Sequence, residues 1–266
     1  MEKVGWMCSY TPVELIDAAG AVPVGIKSDS GAEHEDVLLG DSVCSFARSC
    51  MGGALTGVYD DLKGVVIAHS CECMRKLADG WQFRQLDIKP ELIHILDVPK
   101  VVSESSIIFF AKQLQRFQTV LEQRFGEISP DALRRSIAKY NRTRELFGKI
   151  EEMRKEKAPP VSGREMEELV SAFFHTPADQ LHPRLEEFIA SKKAETVEKE
   201  LPRVMLIGGP GNSSLIPAIE NAGGLSVAEH MCTGFRSYAA PVQNDEDPLL
   251  QLSRMYLSKT ACPRML

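Results

Sequence analysis

The sequence has no long hydrophobic run and no excess of basic residues. No apolar stretch approaches the roughly 20 residues that a membrane-spanning helix needs, and residues 1–12 lack the basic segment and long apolar stretch of a secretory signal. Lys and Arg number 31 against 37 Asp and Glu, so the net charge is −6 and no basic face for a nucleic acid is expected. We therefore expect a cytoplasmic protein with neither a membrane nor a nucleic-acid partner.

The sequence also lacks the cysteine patterns of disulfide frameworks and of structural zinc sites. Its cysteines number seven, an odd count in a chain of 266 residues, whereas disulfide frameworks belong mainly to short secreted chains. No two cysteines have the C-x-x-C spacing that zinc sites usually repeat. The cysteines are therefore either buried thiols or ligands of another kind of metal centre: Cys8, Cys44, Cys50, Cys71, Cys73, Cys232 and Cys262.

Residues 1–102 have the pattern of an α/β domain. Short apolar runs at residues 21–26, 62–70 and 92–100 predict buried strands, and helical patterns lie between them. Strands that alternate with helices at these lengths are typical of an open parallel sheet. The predicted fold class is therefore α/β, with a Rossmann-like or flavodoxin-like parallel-sheet domain in this part of the chain.

Residues 103–200 change to a helical pattern, and residues 201–266 return to strands and helices. Apolar residues from Ile107 to Phe125 recur at three- and four-residue spacing, which predicts an amphipathic helix. A second helix is predicted to follow Ser129, because serine is a favourable helix cap. We therefore predict a helical connector that leads to a second, incomplete Rossmann-like α/β domain with two clear strands.

Three cysteines fall where parallel α/β sheets bind ligands. Cys71 and Cys232 each follow a predicted strand, and Cys44 lies in a predicted loop. Ligands of open α/β sheets bind at the carboxyl ends of the strands, so these thiols are expected to converge there. Single cysteines from separate loops fit an iron–sulfur cluster better than a zinc ion. The alternative is that each is a small buried apolar residue.

Residues around Cys71 add weaker indications of a site. Arg48, Arg75 and Lys76 are cations that would lower the pKa of nearby thiols and offset the charge of a cluster. The alternative is ordinary surface charge, which is the preferred interpretation for Lys76. Of the six histidines, His69 alone is assigned a role at the site, because it lies next to Ser70 and Cys71. A disulfide between Cys71 and Cys73 would be sterically poor at the start of a helix.

Several motifs of the sequence resemble those of a known family, the 2-hydroxyacyl-CoA dehydratases, whose relatives include benzoyl-CoA reductase subunits and double-cubane cluster proteins. Residues 10–20, YTPVELIDAAG, are similar to its opening Y-x-P-x-E-L-I-x-A-A-G segment. Residues 71–77 resemble its C-D-x-M-R-x-L motif, with Glu72 in place of the usual Asp. Residues 140–144 resemble its Y-N-x-x-R mark and residues 232–236 its C-T-G-x-R turn. Motifs in the family's own order make the resemblance specific.

The resemblance implies two α/β domains that face each other across a cleft with a [4Fe–4S] cluster. An ATP-dependent activator protein would deliver one electron through this cluster to an acyl-CoA thioester substrate. The resulting ketyl radical would expel the 2-hydroxyl group, which acid–base chemistry cannot remove because the adjacent proton is not acidic. The implied protein is a lyase of anaerobic metabolism that works as a dimer, either with itself or with a paralogous second subunit.

The resemblance also assigns roles to individual residues. Cys44 and Cys71 match the two amino-terminal ligand cysteines of the family, and Cys232 matches the cysteine of the C-T-G-x-R turn, a third candidate ligand. Ser9 and Glu14 fall in the opening motif and are candidate catalytic groups that bind substrate or relay a proton. The alternative for Glu14 is a carboxylate that the positive end of a helix favours.

Two other functions stay open at this point. One is a reductase subunit of the benzoyl-CoA or double-cubane kind, in which Cys73 and Cys262 could serve a larger cluster. The other is a non-catalytic scaffold subunit or a fragment, because family members are expected to continue past residue 266 with a block that contains a further cysteine. The sequence specifies neither the acyl group nor the identity of the partner subunit.

Overall fold

The protein divides into two compact units. A computed structural model describes residues 1–27, 39, 40, 42–83, 88–90, 92–193, 200–209, 214–243, 247–263 and 265. The first unit comprises Met1–Ser136, Gln243–Ser258 and Arg264–Leu266, and the second comprises Ile137–Val242 and Lys259–Pro263. This division rests on compactness alone and does not test the domain boundaries expected at residues 102 and 200. Those boundaries stay a prediction.

The first unit is built on a parallel sheet. Its strands are β1 (Lys3–Met7), β2 (Val22–Gly25), β3 (Gly64–His69) and β4 (Ile93–Asp97), in the order β2-β1-β3-β4. All three pairings are parallel, which confirms the predicted α/β class with a parallel sheet. The direction of strand order reverses between β1 and β3, and this switch point is where doubly wound sheets bind their ligands.

A helix follows each strand in the described part of the first unit. These helices are α1 (Val13–Ala18), α2 (Ser45–Leu55), α3 (Glu72–Trp81) and α4 (Glu104–Phe125). The apolar stripe predicted for α4 is confirmed, because its inward positions are buried at three- and four-residue spacing. The buried members of that stripe are Ile107, Phe110, Leu114, Phe117 and Leu121.

A long helix, α5 (Pro130–Met153), runs from the first unit into the second. The Oγ of Ser129 accepts a hydrogen bond from the N–H of Ala132 at 3.1 Å, which confirms Ser129 as the predicted cap. The second unit continues with α6 (Gly163–His175) and α7 (Ala178–Lys193). A reciprocal capping box between Ser162 and Glu165 fixes the start of α6.

The sheet of the second unit has two strands within the described residues. These are β5 (Arg203–Ile207) and β6 (Leu225–His230), which pair in parallel with α8 (Leu215–Asn221) between them. Met205 and Ile207 on β5 are exposed. The chain's last helix, α9 (Pro248–Ser258), returns to the first unit and packs on α4. A second Rossmann-like domain stays a prediction. Among the described helices, none combines the length and the apolar character needed to cross a bilayer.

The packing of α4 on β4 makes the stability of the first unit depend on pH. The ring of His94 stacks on Phe117 with 4.9 Å between centroids, and burial lowers the pKa of His94 from 6.5 to about 4 despite the opposing charge of Asp97. Because the folded pKa lies below the unfolded one, the stability is complete above pH 6.5 and falls as the pH drops towards 4.

We expect protonation of His94 to lower the free energy of unfolding by up to about 3 kcal/mol between pH 6.5 and pH 4. Urea unfolding of the wild-type protein and of His94→Gln, compared at several pH values, measures the difference. The free energy of unfolding of His94→Gln should change less between pH 7 and pH 4 than that of the wild type. Parallel curves for the two proteins would contradict the assignment.

Candidate functional site

Two of the predicted ligand cysteines cap helices at the same edge of the first sheet. Cys71 precedes α3 and Cys44 precedes α2, both with extended backbone and no capping hydrogen bond from the side chain. Cys44 lies at the end of a loop, as expected, and α2 begins at the next residue. Gly52 and Gly53, which follow it in sequence, are buried inside α2, where small residues allow close packing.

A third cysteine, Cys73, lies between these two helix starts. The backbone N–H of Cys44 donates to the Sγ of Cys73 at 3.5 Å. Cys44, Cys71 and Cys73 are all partly buried and pack against one apolar core that lines the inner faces of α2 and α3. The fold therefore brings together three thiols that are separated by up to 29 positions in sequence.

A fourth thiol, Cys8, follows β1 and completes this group. Its Sγ lies 3.2 Å from the Oγ of Ser70, the residue between β3 and Cys71. Met7 pairs with Ile67 in the parallel register, so the chain leaves β1 and β3 side by side. We define the thiol group of the first unit as Cys8, Cys44, Cys71 and Cys73.

The electrostatics of the thiol group are set by burial and by helix ends. Burial raises the pKa of the Cys71 thiol above its ordinary value, while backbone N–H groups at Cys73 and Met74 act in the opposite direction. Negative charge at Cys73 or Cys8 would also raise the pKa of Cys71.

Arg75 and Lys76, two cations beside the thiol group, have polar partners of their own. Arg75 donates to Glu72 at 2.5 and 3.0 Å and to Asp79 at 2.7 Å. These bonds raise the pKa of Arg75 and lower that of Glu72. The ammonium of Lys76 lies 3.4 Å from the Oγ of Ser42. The side chain of Arg75 is thus directed to carboxylates on its own helix.

His69 forms a pair with a residue that the sequence did not single out. Its Nδ1 lies 2.9 Å from the Oδ1 of Asp97, and both side chains are partly open to solvent. The two residues end β3 and β4, which pair in register as far as His69 and Asp97. A carboxylate at Nδ1 fixes the orientation of the ring, as in many acid–base pairs. The signal in the sequence was the strand end at Asp97.

The other two candidates of the opening motif are buried. Ser9 and Glu14 are 4% and 0% exposed, and the Oη of Tyr256, on α9, donates to the Oε2 of Glu14 at 2.9 Å. Glu14 also lies in the first turn of α1, where the helix dipole favours a carboxylate. Their roles as catalytic groups stay a prediction.

Cys232 belongs to the second unit and lies in the turn after β6. Its carbonyl accepts a hydrogen bond from the Oγ of Ser237 at 2.6 Å, and the buried guanidinium of Arg236 donates to the carbonyl of His230 at 2.7 Å. A Cβ on Gly234 would meet the carbonyl oxygen of Glu229 at 2.5 Å, so the turn requires glycine there. The predicted turn is confirmed, and the role of Cys232 as a ligand stays a prediction.

Cysteine thiolates can bind either a single metal ion or an iron–sulfur cluster. Across the described part of the chain, no three Cys, His, Asp or Glu side chains converge closely enough to hold one ion. A four-iron cluster is held by cysteine thiolates whose sulfurs lie farther apart, because each binds a different corner of a cube.

The family is shown by a comparison with known sequences. The profile of the family described as 2-hydroxyglutaryl-CoA dehydratase, D-component, matches residues 8–266. The chain belongs to this family. The D-component match confirms the resemblance seen in the motifs and extends it over nearly the whole chain.

Three curated relatives of this chain are subunits of enzymes that are named for acyl-CoA substrates. The chain is 26% identical over 270 residues to a subunit of the benzoyl-CoA reductase of Thauera aromatica, and the match covers 97% of this chain and 68% of that protein. It is 23% identical over 267 residues to the beta subunit of (R)-2-hydroxyglutaryl-CoA dehydratase of Acidaminococcus fermentans, with 97% and 69% covered. Identity to the lactoyl-CoA dehydratase beta subunit of Anaerotignum propionicum is 29% over 147 residues, 54% of this chain and 38% of that protein.

Proposed function

We propose that this D-component chain is the iron–sulfur subunit of a complex that eliminates water from a 2-hydroxyacyl-CoA thioester. The observation that carries the proposal is the grouping of Cys44 and Cys71 at two helix starts beside the β1/β3 switch point. Cysteines in such a position, in a dehydratase family, fit a [4Fe–4S] cluster. Relatives named as dehydratase subunits support a complex with a second subunit.

The chain's own residues would bind the cluster and donate a proton. Cys44 and Cys71 would bind it as thiolates, and the first N–H groups of α2 and α3 would offset its negative charge. Such a cluster supplies single electrons at low potential. His69, oriented by Asp97 through Nδ1, would use Nε2 to protonate the departing hydroxyl as water.

The remaining parts of the proposal concern further residues, the partners and the substrate. Cys232 is proposed as a further ligand, and Ser9 and Glu14 as groups that position substrate or relay a proton. The proposed partners are a paralogous subunit and an ATP-dependent activator that provides the electron. The substrate class is an acyl-CoA thioester with a 2-hydroxyl group.

A reductase role is the second candidate. The specific observation that favours it is the similarity to the benzoyl-CoA reductase protein of Thauera aromatica, which extends over 97% of this chain. A reductase transfers electrons to the acyl group, and these electrons remain in the product. A dehydratase releases water, and its product is not reduced overall. The two candidates therefore differ in their products and not in the thiols that would hold the cluster.

Iron and acid-labile sulfide per chain, with an electron paramagnetic resonance spectrum, test the proposal on protein purified without oxygen. We expect bound iron in the wild-type chain and its loss in Cys44→Ala and in Cys71→Ala. Cys50→Ala is the matched control, because Cys50 is buried in the middle of α2 and should retain the iron. A wild-type chain without iron after anaerobic reconstitution would overturn the proposal.

The reaction is tested with the partner subunit, the activator and ATP. An unsaturated acyl-CoA formed from a 2-hydroxyacyl-CoA supports the dehydratase, and a reduced aromatic thioester formed from benzoyl-CoA supports the reductase. A scaffold subunit would behave differently from both. In that case Cys71→Ala would leave the activity of the complex unchanged.

A further inference from the structure

The turn after β6 contains a buried guanidinium whose donors are only partly used. Arg236 is 2% exposed. Its Nη2 donates to the carbonyl of His230 at 2.7 Å and contacts the carbonyl of Gly208. The N–H groups of its Nε and Nη1 are buried as well, and they have no acceptor among the described residues. These two nitrogens can therefore still donate to a ligand.

The charge of Arg236 differs in setting from that of the other buried guanidinium in the second unit. Arg154 donates to both carboxylate oxygens of Glu229, so a negative charge balances its own. Arg236 contacts two backbone carbonyls, and no carboxylate in the described part of the chain pairs with it. Burial of a cation without a counter-charge is unfavourable, because the cation loses its hydration. A bound anion would remove this imbalance.

Arg236 lies at the edge where parallel sheets bind ligands. Ile207 and His230 pair in register where β5 and β6 end, and Nη2 of Arg236 lies against the carbonyls of Gly208 and His230. Ligands of parallel α/β sheets bind at these carboxyl ends. A Cβ on Gly208 would have no described heavy atom within 4 Å. Space for a ligand therefore adjoins the guanidinium.

A second cation lies on the same turn. The Nζ of Lys259 donates to the carbonyl of Arg236 at 3.3 Å, and both residues belong to the second unit. Phosphate and carboxylate oxygens accept charge-assisted hydrogen bonds from guanidinium groups, and these bonds are stronger than those between neutral groups. The chemistry of this edge therefore suits an oxyanion.

We propose that Arg236 binds an oxyanion of the acyl-CoA thioester, either a phosphate of CoA or a carboxylate of the acyl group. Nη2 fixes the guanidinium against the two strand ends, and Nε and Nη1 donate to the ligand. The identity of the ligand rests on the proposed function, to which the inference adds a substrate-binding residue in the second unit.

Calorimetric titration of the full chain tests this inference with two probes. CoA has phosphates and no acyl carboxylate, whereas glutaryl-pantetheine has a carboxylate and no phosphate. We expect one probe to bind the wild-type chain and to bind Arg236→Met at least about tenfold more weakly. Arg236→Lys should lie between the two, because lysine retains the charge without the planar set of donors. The probe that loses affinity identifies the oxyanion.

Arg203→Met is the matched control. Arg203 is at the amino end of β5 and also donates to a backbone carbonyl, that of Arg154, at 3.0 Å. Its replacement removes an equal charge from the opposite edge of the same sheet and should leave the affinity unchanged. An equal loss of affinity in Arg203→Met and Arg236→Met would contradict a specific role for Arg236.

The outcomes separate this inference from the proposed function. Equal affinity of the wild type and Arg236→Met overturns the inference, and so does a wild-type chain that binds neither probe. Iron content is measured without CoA, so the cluster is judged independently of both results. Circular dichroism shows whether Arg236→Met is folded. If it is not, Arg236→Lys takes its place, and undiminished affinity in that variant overturns the inference.

Discussion

Replacing Arg154 with methionine should lower the free energy of unfolding of the second unit by about 3–5 kcal/mol. Nη1 and Nη2 of Arg154 donate to the two carboxylate oxygens of Glu229 at 2.7 and 2.6 Å. The two side chains are 0% and 5% exposed. Removal of the cation leaves Glu229 with a buried negative charge, and the destabilisation comes mainly from that uncompensated charge.

One neighbouring group stabilises the charge of Glu229, and another makes it harder to tolerate. Ser226 donates to the same carboxylate through its Oγ at 2.6 Å, and this bond remains in the variant. Glu151 lies 3.6 Å from Arg154, and burial raises the pKa of Glu151. Without the arginine, two carboxylates would therefore share a buried region with no cation between them.

Arg142→Met is the matched control for this prediction. Arg142 lies on the same helix, α5, and pairs with Glu145 and Glu186 at 2.8 and 2.7 Å. Its side chain is 39% exposed, so the loss should be within about 1 kcal/mol. Urea unfolding followed by circular dichroism measures both variants. Equal losses for Arg142→Met and Arg154→Met would show that burial is not the cause.

Replacing Phe110 with alanine should destabilise the first unit by about 3–5 kcal/mol. Phe110 is fully buried in α4, the helix that packs on both β4 and α9. Loss of the ring removes apolar contacts and leaves a cavity that backbone on both sides cannot fill. The effect should be on the free energy of unfolding of the first unit.

The adjacent residue provides the control for Phe110. Phe109 is 45% exposed, so Phe109→Ala removes the same number of atoms with a change of about 0.5 kcal/mol or less. The midpoints of urea unfolding of the two variants should therefore separate clearly. A loss in Phe109→Ala as large as that in Phe110→Ala would contradict the burial that distinguishes them.

The helices and strands with strong local patterns were predictable from the sequence. The stripe of α4 and the cap at Ser129 depend on the spacing and type of nearby residues, so a single segment contains the necessary information. The order of strands in the first sheet was not predictable in the same way. It depends on pairing between β1 and β3, which no local pattern specifies.

Elements with weak local signals were missed. The strand β1 is five residues long and contains Gly5, a residue that weakens a strand pattern. A Cβ at Gly5 would lie 2.7 Å from a methyl of Leu62. The need for glycine therefore depends on tertiary packing, which the local sequence does not show. The contact of Tyr256 with Glu14 spans 242 positions and likewise could not be seen in the sequence.

The sequence predicted a cysteine site at the carboxyl ends of the strands, but not all of the residues that lie there. Cys44 and Cys71 were found because they match family motifs, and the structure places both at one edge of the sheet. Cys73 was considered only for the larger cluster of a reductase, and Cys8 was given no role, because their proximity to Ser70 and Cys44 arises only when β1, β3 and two helices meet. Asp97 was missed for the same reason, since its partner His69 lies on another strand.

The exposed side of β5 bears on how the protein behaves in concentrated solution. Met205 and Ile207 lie on a strand that, within the described residues, pairs on one side alone. Unpaired backbone beside apolar side chains favours association between molecules, and repulsion between like-charged molecules opposes it. With a net charge of −6 at pH 7 and an isoelectric point near 5.6, colloidal stability is lowest in mildly acidic buffer. Crystallisation and storage are therefore best kept well above that pH.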